Sequence, residues 1–421
     1  MEEEIGIETF LTKSKGIKGK IKKEPEDFVV EEISIFPPPG NGKYVIARVT
    51  SRNWETNRLI EKLASELHIP SNHIGYAGIK DKRAVTTQLM SFPVSIEKLK
   101  SISIPDVKIE ILYKSPKPVY PGRLIGNRFH IVIRDFEGNE KDVERVINEI
   151  KEYGGFPNFF GVQRFGIARP ITHIVGKYIL KNKLKEAVMT YVAYPLKGEE
   201  DECYEARKFL HETGDFKKAL EIYPKKLNFE RRIIAYLAEH PNEWKNALLQ
   251  LPKNLIKIFV HAYQSYLFNK ILSKRIKEEL PINQAIKGDI IIPWDKEMVV
   301  QAENGIFVNE KNIEKINRQI KNNKCFPSGA IVGYDLVLAK GKMGEIERRI
   351  MEEEEIDCNE FKMEHLPKFA SKGMRRIIFV PLRNLKWWIE ENSLHLQFFL
   401  PKGCYATSLL REIMKADIFS Y

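Results

Sequence analysis

Cysteine is scarce in this sequence. Cys203, Cys325, Cys358 and Cys404 are the only four, they stand far apart, and none belongs to a C-x-x-C pair. That spacing speaks against a zinc site and against a disulfide scaffold, and it fits a reducing cytoplasm. Other absences narrow the chemistry. No Gly-Lys pair is followed by Ser or Thr, so there is no P-loop. G-x-G-x-x-G, H-E-x-x-H and G-x-S-x-G are all missing. So is the H-x-E with P-C-x-x-C pattern of zinc deaminases. The expected chemistry therefore uses no cofactor and no metal. No apolar run approaches the roughly 18 residues of a membrane span. Met1 to Phe10 is acidic and lacks the apolar core of a secretion signal.

What is present is a globular composition. The 421 residues suffice for two or three domains, with 43% hydrophobic and 30% charged residues. Lys and Arg total 68 against 57 Asp and Glu, a net charge of +11. An excess of this sign points to a polyanionic partner, nucleic acid before membrane, although a basic enzyme with a small substrate has the same balance. Six lysines fall within residues 13–23: Lys13, Lys15, Lys18, Lys20, Lys22 and Lys23.

Periodicity gives the organisation. Strands are expected from Asp27 to Phe36 and from Tyr44 to Thr50, as an antiparallel pair joined by the loop containing Pro37-Pro38-Pro39. Leu59, Ile60, Leu63, Ala64 and Leu67 mark a helix that Thr56 can cap. Ile74 to Phe92 reads as strand, glycine-rich loop and strand, and Arg128 to Phe136 as a further strand. Val143, Val146, Ile147 and Ile150 form the stripe of a helix ending at Gly154-Gly155, which is also the expected domain boundary. The chain then becomes mainly helical, with β-like stretches at Asp289 to Pro293 and Ala330 to Ala339. The acidic run Glu352 to Glu355 reads as a solvated helix face. Strands return at Ile377 to Leu382 and Leu394 to Leu400, before a helix from Ser408 to Lys415. The expected fold is α+β: one sheet domain made of residues 1–154 and 373–421, interrupted by a largely helical insert, 155–372.

The densest chemistry lies in Gly75-Tyr76-Ala77-Gly78-Ile79-Lys80-Asp81-Lys82-Arg83-Ala84-Val85-Thr86-Thr87-Gln88. Two glycines allow a tight turn and a close approach to a ligand. Asp81 sits among Lys80, Lys82 and Arg83, cations that favour an ionised carboxylate and attract phosphate. The same residues also suit a helix-capping aspartate with solvated basic neighbours.

This segment resembles the G-x-A-G-x-K-D signature of the TruD family of pseudouridine synthases. Further blocks match that family in order. Lys22-Lys23-Glu24-Pro25-Glu26-Asp27-Phe28 resembles K-x-x-P-E-D-F, and Gly126-Asn127-Arg128-Phe129 resembles G-N-x-F. Phe160-Gly161-Val162-Gln163-Arg164-Phe165-Gly166 resembles F-G-x-Q-R-F-G, and Ala262 to Asn269 resembles a helix of the family's insert. Leu400-Pro401-Lys402-Gly403-Cys404-Tyr405-Ala406-Thr407 with Arg411-Glu412 resembles the C-terminal L-P-x-G-x-[FY]-A-T…R-E block.

The resemblance implies a pseudouridine-synthase-like sheet domain with an inserted TRUD domain, and isomerisation of uridine to pseudouridine in RNA without cofactor. It implies tRNA as the partner, commonly at uridine 13, with the base extruded from the RNA. It makes Asp81 the nucleophile. Attack at C1′ of the sugar, assistance of a glycal and addition to C6 of the base all remain open. Lys22 is the candidate cation for Asp81, or else one more phosphate-binding lysine. Phe28, Phe129 and Tyr405 are expected around the base, and the Tyr405 hydroxyl is an addition, since many members have Phe there. Asn127 either reads a uracil edge, holds the aspartate loop, or is a turn residue. Lys80, Arg83, Arg164 and Arg411 are candidate RNA contacts, and Thr407 is read as a helix cap. A cytoplasmic monomer is expected, with no obligate protein partner and no membrane. A non-catalytic RNA-binding protein and a metal-dependent nuclease using Glu26, Asp27 and Asp81 are the alternatives.

Overall fold

In the computed structural model the chain forms two compact units. One comprises Thr12–Phe156, Trp294–Val300 and Val380–Tyr421, and the other Met1–Leu11, Pro157–Pro293 and Gln301–Phe379. Residues 2–196, 198–294, 302–303 and 305–417 are described. The remaining positions of the expected segments, 1, 197, 295–301, 304 and 418–421, lie outside them.

The unit that carries Asp81 is built on an eight-stranded mixed sheet. Its strands are β1 Phe28–Ser34, β2 Tyr44–Arg52, β3 Gly75–Tyr76, β4 Val85–Phe92, β5 Val107–Ser115, β6 Leu124–Ile133, β7 Arg383–Glu390 and β8 Ser393–Pro401. They run in the order β7-β8-β6-β1-β4-β2-β5, with β3 on β4. This corrects the expected β1–β2 hairpin. β4 lies between the two, parallel to β1 (Val30 opposite Thr86) and antiparallel to β2 (Val49 opposite Gln88). The connection, residues 35–43, is much longer than a two-residue hairpin loop, so its Asn41-Gly42 turn pair does not by itself force β1 and β2 together. The sequence reading passed over β5 and β7. Both are edge strands, and the charged residues that protect an edge from further pairing dilute their apolar alternation.

The helices of this unit are α1 Thr56–Leu67, α2 Ile96–Lys100, α3 Glu140–Tyr153 and α4 Ala406–Met414. The apolar stripe of α3 packs with residues of α4 and with Phe28, Phe129, Ile131, Leu396 and Phe398. Leu59, Leu63 and Leu67 of α1 pack with Val45, Ala47, Val49 and Met90. By strand alternation both groups cover the same sheet face. Between them that face is polar, carrying Asn127, Glu32, Gln88, Thr86 and Ser51 in adjoining strands. An Asn139–Asp142 capping box starts α3, and Gly154, at φ 76, ends it. The cap of α1 is Glu55 rather than Thr56: its carboxylate accepts from the amides of Asn57 and Arg58. Thr56 serves the loop described below.

The other unit is dominated by helices around the 25-residue Lys253–Lys277, with a four-stranded sheet. Its strand Cys325–Ile331 starts and ends before the expected Ala330 to Ala339 stretch does, and residues 332–340 are irregular. The first residues of the chain pack here: Asn269 donates to the carbonyl of Ile5 and Ser273 to that of Gly6, each at 2.9 Å. The acidic run is not a solvated face throughout. Glu354 is buried, within 2.7 Å of Lys177 and 2.9 Å of Lys270, and accepts from the Tyr266 hydroxyl. Burial alone raises its pKa, but the two ammonium groups outweigh it and hold the carboxyl below the ordinary glutamate value.

Candidate active site

The site begins with a turn. An antiparallel bridge between Lys20 and Arg134 precedes Lys22, whose backbone is left-handed at φ 56. Pro25–Asp27 then forms a single 3-10 turn closed by a capping box from Glu24 to Asp27. Asp27 is buried and held by the Arg134 guanidinium, 2.7 Å away. Burial raises its carboxyl, yet the hydrogen bonds from Arg134 and from the backbone of the turn prevail and keep it below the usual aspartate value. The result is a rigid lead into β1 that directs Lys22 across the ring of Phe28, with Nζ 4.2 Å from its centroid.

The second part is the loop between β3 and β4. Asp81 lies half-exposed on it, and its Oδ1 is 3.2 Å from Lys22 Nζ. Lys82 and Arg83 are exposed beside it. Lys22, Asp81 and Phe28, brought together from positions 59 and 6 residues apart along the chain, thus form one contiguous cluster. Their neighbours point elsewhere. Lys80, expected as an RNA contact, turns inward: its ammonium meets Glu32 Oε2 at 2.6 Å, with the two side chains 5% and 0% exposed. An ammonium so neutralised and covered does not reach a phosphate, and this corrects the expectation. Arg83 stays exposed but donates to the carbonyl of Lys23 at 2.7 Å, tying the loop to the Lys22 turn.

The aromatic candidates are less open than the sequence suggested. Phe28 and Phe129 are 1% and 6% exposed, pack edge to face at 6.1 Å, and Phe129 stacks on Phe398 at 5.3 Å. Their faces are occupied by other side chains and the rings are almost wholly covered, so neither offers the open stacking surface expected of it. Tyr405 is half-buried at the start of α4, just beyond the end of β8, where Pro401 pairs with Gly126 beside Asn127. Asn127 lies opposite Glu32, and its side-chain oxygen is buried without a partner.

Three candidates lie elsewhere. Arg164 belongs to the other unit, where its Nε donates to Ser265 and its guanidinium lies over Phe160. Arg411 is buried, 3.2 Å from Glu412, which in turn accepts from the amide and hydroxyl of Thr12. A guanidinium enclosed in that network anchors α4 and is not a surface phosphate ligand, a second correction. Thr407 is no cap either: it lies inside α4, and its hydroxyl is buried and unpartnered.

Three residues were not read from the sequence as parts of the site. Glu32 and Gln88 lie side by side on the covered sheet face, and the Gln88 side-chain oxygen is buried with no partner. Thr56 accepts from the amide of Lys80 at 2.9 Å. The signal available was a glutamate at a core-facing position of β1, two residues after Val30. The carboxylates of the nuclease alternative do not converge: Glu26 pairs with Arg52, Asp27 with Arg134 and Asp81 with Lys22. Among the described residues no three His, Cys, Asp or Glu side chains are grouped as metal ligands. Nor is any described helix long and apolar enough to cross a membrane.

Comparison with known proteins shows the family. The family model for tRNA pseudouridine synthase D (TruD) matches residues 4–413. A Methanococcoides burtonii protein named probable tRNA pseudouridine synthase D is 41% identical, over 99% of this chain and 98% of its own. One of the same name from Pyrococcus furiosus is 40% identical, over 99% of this chain and all of its own. The crystal structure of the Methanosarcina mazei protein described as TruD superposes with a TM-score of 0.89 at 36% identity, covering 100% of this chain and 98% of that one. The chain is a member of the tRNA pseudouridine synthase D (TruD) family.

Proposed function

We propose that this chain isomerises uridine to pseudouridine in tRNA, at uridine 13, with Asp81 as the nucleophile. The reaction breaks the N1–C1′ bond and joins C5 to C1′. C5 loses a proton to solvent and N1 gains one, so no oxidant, reductant or energy source is required. Asp81 acts at C1′, through a glycal, or at C6. The first route parallels the carboxylate strategy of retaining glycosidases.

One observation carries this reading. In a loop whose Lys80 and Arg83 side chains are tied down, Asp81 alone presents a carboxylate outward with a cation against it, Lys22 at 3.2 Å. Lys22 orients the carboxylate. The target base must leave the RNA stack, which costs a few kcal/mol. Tyr405, the half-buried one of the three aromatic candidates, offsets part of that cost, and the unpartnered oxygen of Asn127 supplies an acceptor for a donor on the uracil edge.

The test is release of tritium from C5-labelled uridine in unmodified tRNA, followed by mapping of the altered position. The parent protein releases one tritium per tRNA at position 13. Asp81→Asn binds the same tRNA and lowers the rate at least ~10³-fold, the scale on which removing a nucleophile acts. Full activity in that variant would refute Asp81 as nucleophile. Release from another position would redirect the substrate assignment only. Binding with no release by the parent would favour a non-catalytic RNA-binding protein.

A further inference from the structure

We infer that the buried Lys80–Glu32 ion pair is a positioning device that sets the location of the nucleophile; this rests on the reading of Asp81 given above. The placement inverts what hydropathy favours. Ile79 is 65% exposed, while Lys80, next to it, is buried. Taking an ammonium and a carboxylate out of water is costly, and apolar side chains in the same space commonly stabilise a fold as well or better. A loop selected for stability alone would bury the isoleucine.

The geometry shows what the pair accomplishes. Glu32 is fixed from several sides: its Oε1 accepts from Ser34 Oγ at 2.7 Å and faces the Leu89 amide at 3.5 Å, while Oε2 takes Lys80. The backbone of Lys80 is held separately, its amide donating to Thr56 Oγ1 and its carbonyl facing the same hydroxyl. On the far side of Asp81, Arg83 binds the carbonyl of Lys23, and Ala84 bonds to Asn53 through the backbone. Asp81 is therefore the outward residue of a short segment secured on both sides. The Lys80 side chain has a limited reach, so its attachment to the sheet, with its amide held at Thr56, restrains the adjoining Cα, ~3.8 Å away. A displacement of about 1 Å at a reacting group is enough to cost ~10²-fold in rate.

The test uses the full-length chain with unmodified tRNA, comparing Lys80→Met, Glu32→Gln and the double variant for thermal unfolding, kcat and KM. Each single variant leaves a buried charge without its partner and melts below the parent. The neutral double variant recovers most of the melting temperature but keeps a kcat ~10²-fold low, with KM within about threefold of the parent. Recovery of parental kcat by the double variant overturns the inference and leaves the pair a purely structural one. Should the double variant not fold, Glu32→Asp decides, because it keeps the charge and shortens the tether by one methylene. A drop of ~10-fold in kcat at unchanged KM supports the inference, and an unchanged kcat overturns it. Failure of the Asp81 reading itself is separate: it shows as an active Asp81→Asn, whatever the Lys80 and Glu32 variants do.

Discussion

At the scale of single residues, the ionisable groups divide by what they face. Asp27 faces inward and fixes the turn that carries Lys22. Its carboxyl titrates below the ordinary aspartate value, so its contribution to stability is complete above about pH 4 and is lost as pH falls through the lower folded-state value. Asp27→Asn removes the charge that Arg134 holds and is expected to cost ~1–3 kcal/mol at neutral pH. Acid unfolding followed by circular dichroism will show a smaller further loss below pH 4 in the variant than in the parent. Lys22 faces Asp81. Lys22→Met leaves Phe28 covered but withdraws the cation, and a fall in kcat of ~10–100-fold is expected, read by single-turnover kinetics at saturating tRNA. An unchanged kcat would reassign Lys22 to phosphate binding.

At the scale of elements, the sheet explains why particular glycines stand where they do. Gly126 has no room for a side chain: a Cβ there would lie 2.2 Å from the carbonyl oxygen of Leu400 on β8. This close approach of β6 and β8 brings Asn127 up to the turn that leads to Tyr405. Gly126→Ala should separate the two strands locally, destabilise the fold by about 1–3 kcal/mol and lower the melting temperature accordingly. The element-level reading of the sequence succeeded for α3, whose stripe, capping box and terminal glycine all agree. It failed for the β1–β2 pairing, because alternation identifies a strand but not its neighbour. It also failed for Thr56, whose cap-forming chemistry is equally suited to receiving the amide of a distant loop.

At the scale of the whole molecule, the net charge of +11 defines how a polyanion is met. Of the lysines between residues 13 and 23, Lys18, Lys22 and Lys23 have carboxylate partners. Lys13, Lys15 and Lys20 are exposed and make no ion pair among the described residues. With tRNA as the substrate, these three are the expected phosphate contacts. Affinity for tRNA should fall steeply with salt, and Lys13→Ala/Lys15→Ala/Lys20→Ala should flatten the log–log salt dependence by ~2–3 while leaving kcat at saturation within about twofold. Filter binding between 50 and 300 mM KCl measures the slope, and an unaltered slope would place the RNA on another surface.

By itself the sequence determined the family, the α+β class and the aspartate-bearing loop, and it left Lys22 open between Asp81 and a phosphate. These depend on short contiguous motifs and on hydrophobic period, which are local properties of the chain. Tertiary structure alone decided which of several neighbouring cations faces solvent. Lys80, Lys82 and Arg83 are alike in type and adjacent in sequence, yet one is buried on Glu32, one is exposed and one binds a backbone carbonyl. The difference lies in strand order. β1 sits beside β4 and so places a carboxylate under the loop, 48 residues away along the chain, and no local pattern encodes that juxtaposition.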